Sequence, residues 1–425
     1  MTADPGPGSG RPAARPAVFL PGPVPDRETL EGWTRWRLTR RDFVPAPVIT
    51  AAERARMTPR QRRLHDLHRV ATHSNLAIQE TPMSAFVSRT MRSLIETNAF
   101  CRGPDTRPGL MINGGACQGK TETACEAVAC YEDEWLTLYD QNPSAVAGTL
   151  DLHVPAVYVR TPVKATPISA CQRILHFYGE RYQGMRLEDL LRTVKDAVFD
   201  HATKAIVIDD ITRLKMHREA DQDVLDLIRE LMSLPATLIL VGVGIPKSGL
   251  LRDGRKDPKT GQWIFPPVKD RGKSRNDDTP GQTDLRFELI DLYRFSYGAP
   301  DGPAAWTAHL VGIEQQLRLL NDCDGMLSGG SMPEYLFGRT NGIVGLLKKL
   351  IQAGCRHAIE TGAETITTGL LDTLTVSPAD LPGLDPDAGE IPDIPPAPAR
   401  PARKRRKPRN TVFDDPGTSA SETAG

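Results

Sequence analysis

The sequence predicts an α/β chain in which a mostly parallel sheet is covered on both faces by helices. Two observations carry this. Between about Pro108 and Leu292, short apolar runs (Leu110–Ile112, Ala156–Val159, Ala205–Ile208, Thr237–Val241) alternate with helical stretches. Strands so uniformly apolar suit burial on both faces, and alternation with helices is how parallel strands are connected. The first run also leads straight into a glycine-rich loop and the helix-prone segment Glu122–Tyr131, an order that suits phosphate binding.

Taken in order, residues 1–28 hold seven prolines and are expected to be disordered. Residues 29–104 read as a basic helical extension. Trp33, Trp36 and Leu38 are followed by Arg62, Arg63, Leu64, Leu67 and Val70, and a second apolar period runs through Phe86, Val87, Met91, Leu94 and Ile95. Residues 105–300 form the expected α/β core, interrupted at 251–284 by a polar stretch without periodicity that reads as a long loop. Helical periodicity returns in residues 301–376, notably Ile343–Ile359. Ten prolines punctuate residues 377–425, which are expected to form a disordered tail.

Composition narrows the function. At 425 residues, 39% hydrophobic and 25% charged, the chain can bury a sizeable core. No apolar run approaches the roughly 20 residues of a membrane span. The N-terminus lacks a charged region followed by an apolar block, so no signal peptide is expected. Seven cysteines without a Cys-x-x-Cys argue against a disulfide framework or structural zinc and for a reducing cytoplasm. Net charge is zero, yet Arg403–Lys407 and Arg409 place six positive charges in seven positions. Without those six, 47 basic residues face 53 acidic ones, so the tail holds the obvious attraction to a polyanion.

The strand Leu110–Asn113 is followed by Gly114, Gly115, Ala116, Cys117, Gln118, Gly119, Lys120 and Thr121, a G-x-x-x-x-G-K-[ST] loop in its strand–loop–helix context. Glycines let backbone amides curl round a phosphate, and the helix N-terminus adds partial positive charge. Lys120 is expected to reach the β- and γ-phosphates of ATP, and Thr121 to ligate Mg²⁺. Ala205–Ile208 then ends in two carboxylates. Asp209 is placed to hold the Mg²⁺ shell and Asp210 to polarise the attacking water. Many ATPases carry Glu at the second position. Asp is one methylene shorter, which suits slower hydrolysis.

These residues resemble the AAA+ ATPases of transposition of the TniB/TnsC type, and more distantly MuB and the IstB/DnaC helicase loaders. Val154–Pro162 is similar to that family's second strand. Ala205–Asp210 with Ile211–Leu214 is similar to its Walker B strand and turn, Leu234–Gly242 to its sensor-1 strand, and Leu285–Leu292 to its R-F-E segment. Thr340–Leu347, with Ala358, Ile359 and Gly362, is similar to its lid helices. The resemblance spans residues 105–375 and implies a three-layer P-loop AAA+ core followed by a small helical lid.

It also implies roles. Arg286 falls where related ATPases place an arginine finger, which reaches a neighbour's γ-phosphate and makes hydrolysis depend on a ring or filament. Lys164, with Thr166 beside it, falls in the loop that meets DNA phosphates. Two departures stand out. Gly242-Val243-Gly244 lacks the usual small polar sensor-1 residue, with Ser248 a displaced candidate. Gly345 stands where many lids supply a sensor-2 arginine, leaving Arg339 or Lys348 as substitutes.

Other features are weaker. Cys117 suits a small loop filler better than a redox brake. His65 and His68, at i and i+3, lack companions for a metal site and are expected to be solvated. Trp33 and Trp36 with Arg35, Arg37, Arg40 and Arg41 fit either nucleic-acid contact or a helix docked on the core. The reading that follows is a cytoplasmic AAA+ ATPase that uses ATP and Mg²⁺ to assemble on double-stranded DNA. It would recruit or activate a transposase or integrase, with slow hydrolysis disassembling it. A helicase loader, or a signalling or defence NTPase without nucleic acid, is the alternative.

Overall fold

A threonine caps each of the first four helices: Thr29 for α1 (Leu30–Thr39), Thr50 for α2 (Ala51–Arg56), Thr58 for α3 (Pro59–Ser74) and Thr81 for α4 (Pro82–Phe100). Each hydroxyl accepts from a first-turn amide that has no partner within its helix. In α3 and α4 a proline follows, where its missing N–H costs nothing. The computed structural model describes residues 22–103, 106–141, 152–162, 166–213, 222–247, 255–256, 263–264, 286–321 and 324–375, with backbone alone for 222–226 and the two dipeptides.

Five described strands form a parallel sheet: β1 (Gly109–Asn113), β2 (Ala156–Arg160), β3 (Ala205–Asp209), β4 (Thr237–Gly242) and, after an antiparallel pair β5 (Arg255–Lys256) and β6 (Trp263–Ile264), β7 (Phe287–Asp291). Their order is β2-β3-β4-β1-β7. Strands β3 and β4 are buried at every residue and β1 and β2 at all but the last, as an aliphatic run covered on both faces must be. The edge strand β7 buries only Phe287 and Ile290. Between them run α5 (Lys120–Gln141), α6 (Pro167–Tyr178), α7 (Leu187–Asp200) and α8 (Gln222–Met232). Because β1 lies between β4 and β7, the loop that follows it opens at the carboxyl ends of three adjacent strands, where ligands of open α/β sheets bind.

Four described helices follow the sheet: α9 (Gly302–Glu314), α10 (Met332–Thr340), α11 (Val344–Thr361) and α12 (Thr368–Asp372). They enclose a second core around Trp306, Leu310, Leu336, Phe337, Leu347 and Ile351. The N-terminal helices straddle both cores. Trp33, Val87, Met91 and Ile95 join the sheet core, Leu76 joins the helical one, and Met83 packs against each. Arg69 in α3, 1% exposed, donates to both carboxylate oxygens of Glu364 at 2.6 and 3.0 Å.

Several expectations are corrected. Residues 22–28 belong to the placed structure, since the Asp26 carbonyl accepts from Thr29 N and Arg27 reaches Glu122 at 3.1 Å. Phe86 points outward at 52% exposure while Val87, Met91 and Ile95 are buried. His65 and His68 are not solvated. Both are buried, their Nε2 atoms 3.3 and 2.8 Å from the carbonyls of Pro47 and Val44, so they staple the α1–α2 connection onto α3. Apart from β5 and β6, the 251–284 stretch lies outside the described residues, as do Lys164, Ser248 and the basic run 403–409. Among the described residues no helix is long and apolar enough to cross a membrane.

Candidate nucleotide site

The loop after β1 is shaped by atoms that leave no room for side chains. A Cβ on Gly114 would lie 2.6 Å from the Leu292 carbonyl oxygen and 2.7 Å from Gln118 Oε1. Gly119 sits at φ +84°, which favours glycine. The Gln118 side-chain oxygen Oε1 accepts from the Gly115 amide at 2.6 Å and so holds the loop curled. Lys120 opens α5 and folds back, its Nζ donating to the Gly115 carbonyl at 2.6 Å. Its side chain is largely buried, which lowers its pKa from the usual lysine value against the opposing pull of Asp209 and Asp210. An ammonium has three donors, so two remain for an anion in the loop. Curled amides, a helix N-terminus and a buried cation fit a nucleotide's phosphates.

The two carboxylates at the end of β3 differ sharply. Asp209 is 3% exposed. Its Oδ2 accepts from Thr121 Oγ1 at 2.8 Å and from the Tyr158 hydroxyl at 3.0 Å, and its Oδ1 from the Asp210 amide at 2.8 Å. Thr121 and Asp209, 88 residues apart, therefore form one oxygen-rich corner beside the loop, a donor set suited to a hard cation such as Mg²⁺. Asp210 adopts φ +55° and its carboxylate pairs with Arg213 at 2.8 Å, while Arg213 also donates to the Thr161 carbonyl at 3.3 Å. Tyr158 is a residue the sequence reading missed. Its trace was a single phenol in an otherwise aliphatic strand, two positions before the residue that registers with Asp209.

Asn113 was missed as well. Its Oδ1 accepts from the Ile245 amide at 3.0 Å and its Nδ2 donates to Asp291 Oδ1 at 2.5 Å, so one polar side chain ties together the carboxyl ends of β4, β1 and β7. Its signal was a polar residue ending an apolar strand just before the glycines.

The departure at sensor 2 has a steric cause. The Gly345 amide donates to the Cys117 carbonyl at 2.9 Å, and a Cβ on Gly345 would lie 2.6 Å from that oxygen. An arginine has no space there. Arg339 does not substitute, because its guanidinium bonds the Tyr335 hydroxyl, Asp372 and the Leu371 and Leu374 carbonyls within the helical unit. Lys348 is exposed on α11.

Arg286 directly precedes β7, and Phe287 registers with Gly109 at the start of β1. The phosphate loop leaves the opposite end of β1, four residues or about 13 Å further along. Arg286 thus stands away from its own loop. Thr166 caps α6, its hydroxyl accepting from Ser169 N at 3.2 Å. The Trp33 and Trp36 alternative resolves as docking. Trp33 is fully buried and donates to Glu132 Oε2 at 2.6 Å. Arg37, Arg40 and Arg41 pair with Glu126, Glu132 and Asp133 on α5.

With this geometry in hand, comparison with known proteins is direct. Residues 105–246 match the family model described as an AAA domain, about a third of the chain. No curated protein matches the chain. Among solved structures it is similar to the Aeropyrum pernix ORC1 protein in complex with DNA, at 12% identity and TM-score 0.47 over 70% of this chain and 66% of that one. It is also similar to Drosophila ORC bound to DNA, at 9% and 0.42 over 81% and 72%. Domain III of the Thermotoga maritima replication initiation protein DnaA follows at 13% and 0.34 over 71% and 93%. The chain spans just under two thirds of the Aeropyrum ORC1 structure. The match to an AAA domain thus covers β1 to β4 and the P-loop, and β7, outside the matched residues, completes the five-stranded parallel sheet.

Proposed function

We propose that the chain is an ATPase that binds ATP and Mg²⁺, assembles head to tail on duplex DNA and presents that DNA to a transposase or integrase. The observation that carries the nucleotide part is the 2.8 Å hydrogen bond from Thr121 to Asp209, beside a buried Lys120 in a loop whose Gly114 has no room for a side chain. In this reading the amides from Gly114 to Thr121 hold the phosphates, Lys120 leaves the Gly115 carbonyl for the β- and γ-oxygens, and Thr121 with Asp209 holds the metal. A metal held there would supply positive charge against that of the phosphates. Asp210 orients the attacking water. Arg286, remote from its own loop, serves a neighbour's site. A heterologous contact of that kind yields a ring or a filament. The DNA and transposase parts rest on the ordered resemblance over residues 105–375, with Lys164 and Thr166 as proposed phosphate contacts.

Fluorescence anisotropy of a labelled duplex of arbitrary sequence, with ATP, ADP or no nucleotide, tests this reading. ATP-dependent binding that disappears in Lys120→Ala supports it. ATP-dependent preference for single strands would favour a helicase loader. Binding of nucleotide without any DNA binding at low salt would leave a nucleotide-gated scaffold.

A further inference from the structure

The segment ahead of the AAA domain reaches the candidate metal corner through one side chain. Tyr158 is 1% exposed, and two groups from the N-terminal segment meet its ring. The Trp33 indole stacks on it with centroids 6.0 Å apart and planes 16° apart, and the Arg27 guanidinium sits 5.5 Å from its centroid. Trp33 is anchored by its hydrogen bond to Glu132 and cannot slide. Arg27 also pairs with Glu122, the residue after Thr121. The hydroxyl of Tyr158 points the other way, to Asp209 Oδ2.

We propose that Tyr158 is a positioning residue for the magnesium site, and that Arg27 and Trp33 set it, so that docking of α1 governs how well Asp209 serves the metal. The inference rests on the nucleotide reading above. Its logic is geometric. For the Thr121 oxygen to face a cation, its proton must face away, and Asp209 Oδ2 is the acceptor. That acceptor is useful only while its carboxylate plane is fixed. The Asp210 amide fixes one oxygen, and Tyr158 shares the other with Thr121. Removing the hydroxyl frees the carboxylate to turn, while the phosphate loop, which Tyr158 does not touch, is unchanged. Partners that orient metal ligands are worth 10–100-fold in metal affinity.

The test is a Mg²⁺ titration of the full chain binding a fluorescent N-methylanthraniloyl ATP, with EDTA as the metal-free arm. Tyr158→Phe should raise the Mg²⁺ midpoint by roughly tenfold and leave affinity in EDTA unchanged. Trp33→Phe should shift the midpoint in the same direction by less. Arg41→Ala, an exposed variant just after α1 that pairs with Glu126 and not with Tyr158, should not move it. A Tyr158→Phe midpoint within twofold of wild type overturns the proposal, as does an equal loss of affinity with and without metal. Should Tyr158→Phe fail to fold, Trp33→Phe decides by the same criterion. If the wild-type chain binds no nucleotide, the nucleotide reading itself falls, and this proposal with it.

Discussion

The backbone amide of Gly345 donates to the carbonyl of Cys117 at 2.9 Å, so the first turn of α11 rests on the phosphate loop itself. Cys117 pays for that contact with a left-handed backbone, φ +60°. The helical unit is thus in direct mechanical contact with the nucleotide site, through main chain and not through a charged side chain.

Restoring the arginine common at this lid position should therefore harm the protein. Gly345→Arg, and even Gly345→Ala, must displace Cys117, whose oxygen would lie 2.6 Å from the new Cβ. Overpacking of this sort costs about 1–3 kcal/mol. We expect lower thermal stability and weaker nucleotide binding from both variants, measured by calorimetry and by titration. A gain in ATP turnover from Gly345→Arg would show that the site has room after all.

Arg286 should act only in trans. Neither Arg286→Ala nor Lys120→Ala alone should hydrolyse ATP appreciably. Their equimolar mixture should recover part of the wild-type rate, because some interfaces pair an intact loop with an intact arginine. An Arg286→Ala chain with undiminished turnover would remove this residue from the chemistry.

Asp210 is held by Arg213 at 2.8 Å, in a geometry that turns its carboxylate toward the Thr161 end of β2. If Asp210 orients water, Arg213→Gln should raise basal turnover a few-fold and Asp210→Asn should lower it by about 10²-fold, within the range of general-base loss. Single-turnover hydrolysis of labelled ATP separates the two, and equal rates in wild type and Arg213→Gln would refute the restraint.

Glu132 gives a pH signature. Burial raises its pKa to about 7, against the Trp33 hydrogen bond and the charges of Arg37 and Arg40 that stabilise the anion, with Asp133 adding to the rise. A carboxyl with a folded pKa above its unfolded value binds its proton more tightly in the native state. Stability is then greatest below the unfolded pKa and falls as pH rises toward about 7. Thermal midpoints measured between pH 5 and 8 should decline in wild type and flatten in Glu132→Gln. Parallel curves would contradict this.

Arg69→Ala should be the most destabilising single change outside the nucleotide site. It strands Glu364, whose carboxylate is nearly buried, and removal of one partner of a buried pair costs about 3–5 kcal/mol. Denaturant unfolding of Arg69→Ala would show it, with Arg69→Met, Glu364→Leu and the double Arg69→Met/Glu364→Leu variant alongside. The double variant should lose much less than the sum of the singles.

The sheet was legible because its signal is local. Four aliphatic runs, each five or six residues once folded, can only be strands buried on both faces, and the G-x-x-x-x-G-K-[ST] spacing announces its loop. What stayed hidden depends on pairings across the chain. His65 and His68 look like surface histidines on a basic helix until the carbonyls of Val44 and Pro47 fold over them. The arginines of α1 look like a nucleic-acid surface until the acidic face of α5 meets them. Tyr158 and Asn113 carried no motif, since their importance comes from registers that no linear spacing encodes.

The ion pair of Arg69 with Glu364 also sets a timetable. Its partners are 295 residues apart, and at about 5–20 residues per second the ribosome needs roughly 15–60 s to deliver the second after the first. Throughout that interval Arg69 has only Asp66 of its own helix as an acidic partner. The N-terminal helices can begin to dock when β1 and α5 appear, but their far end stays open until the helices after β7 exist. The N-terminal helical segment is therefore completed only after the helices that follow β7 have emerged, long after its first contacts with the P-loop side of the sheet can form.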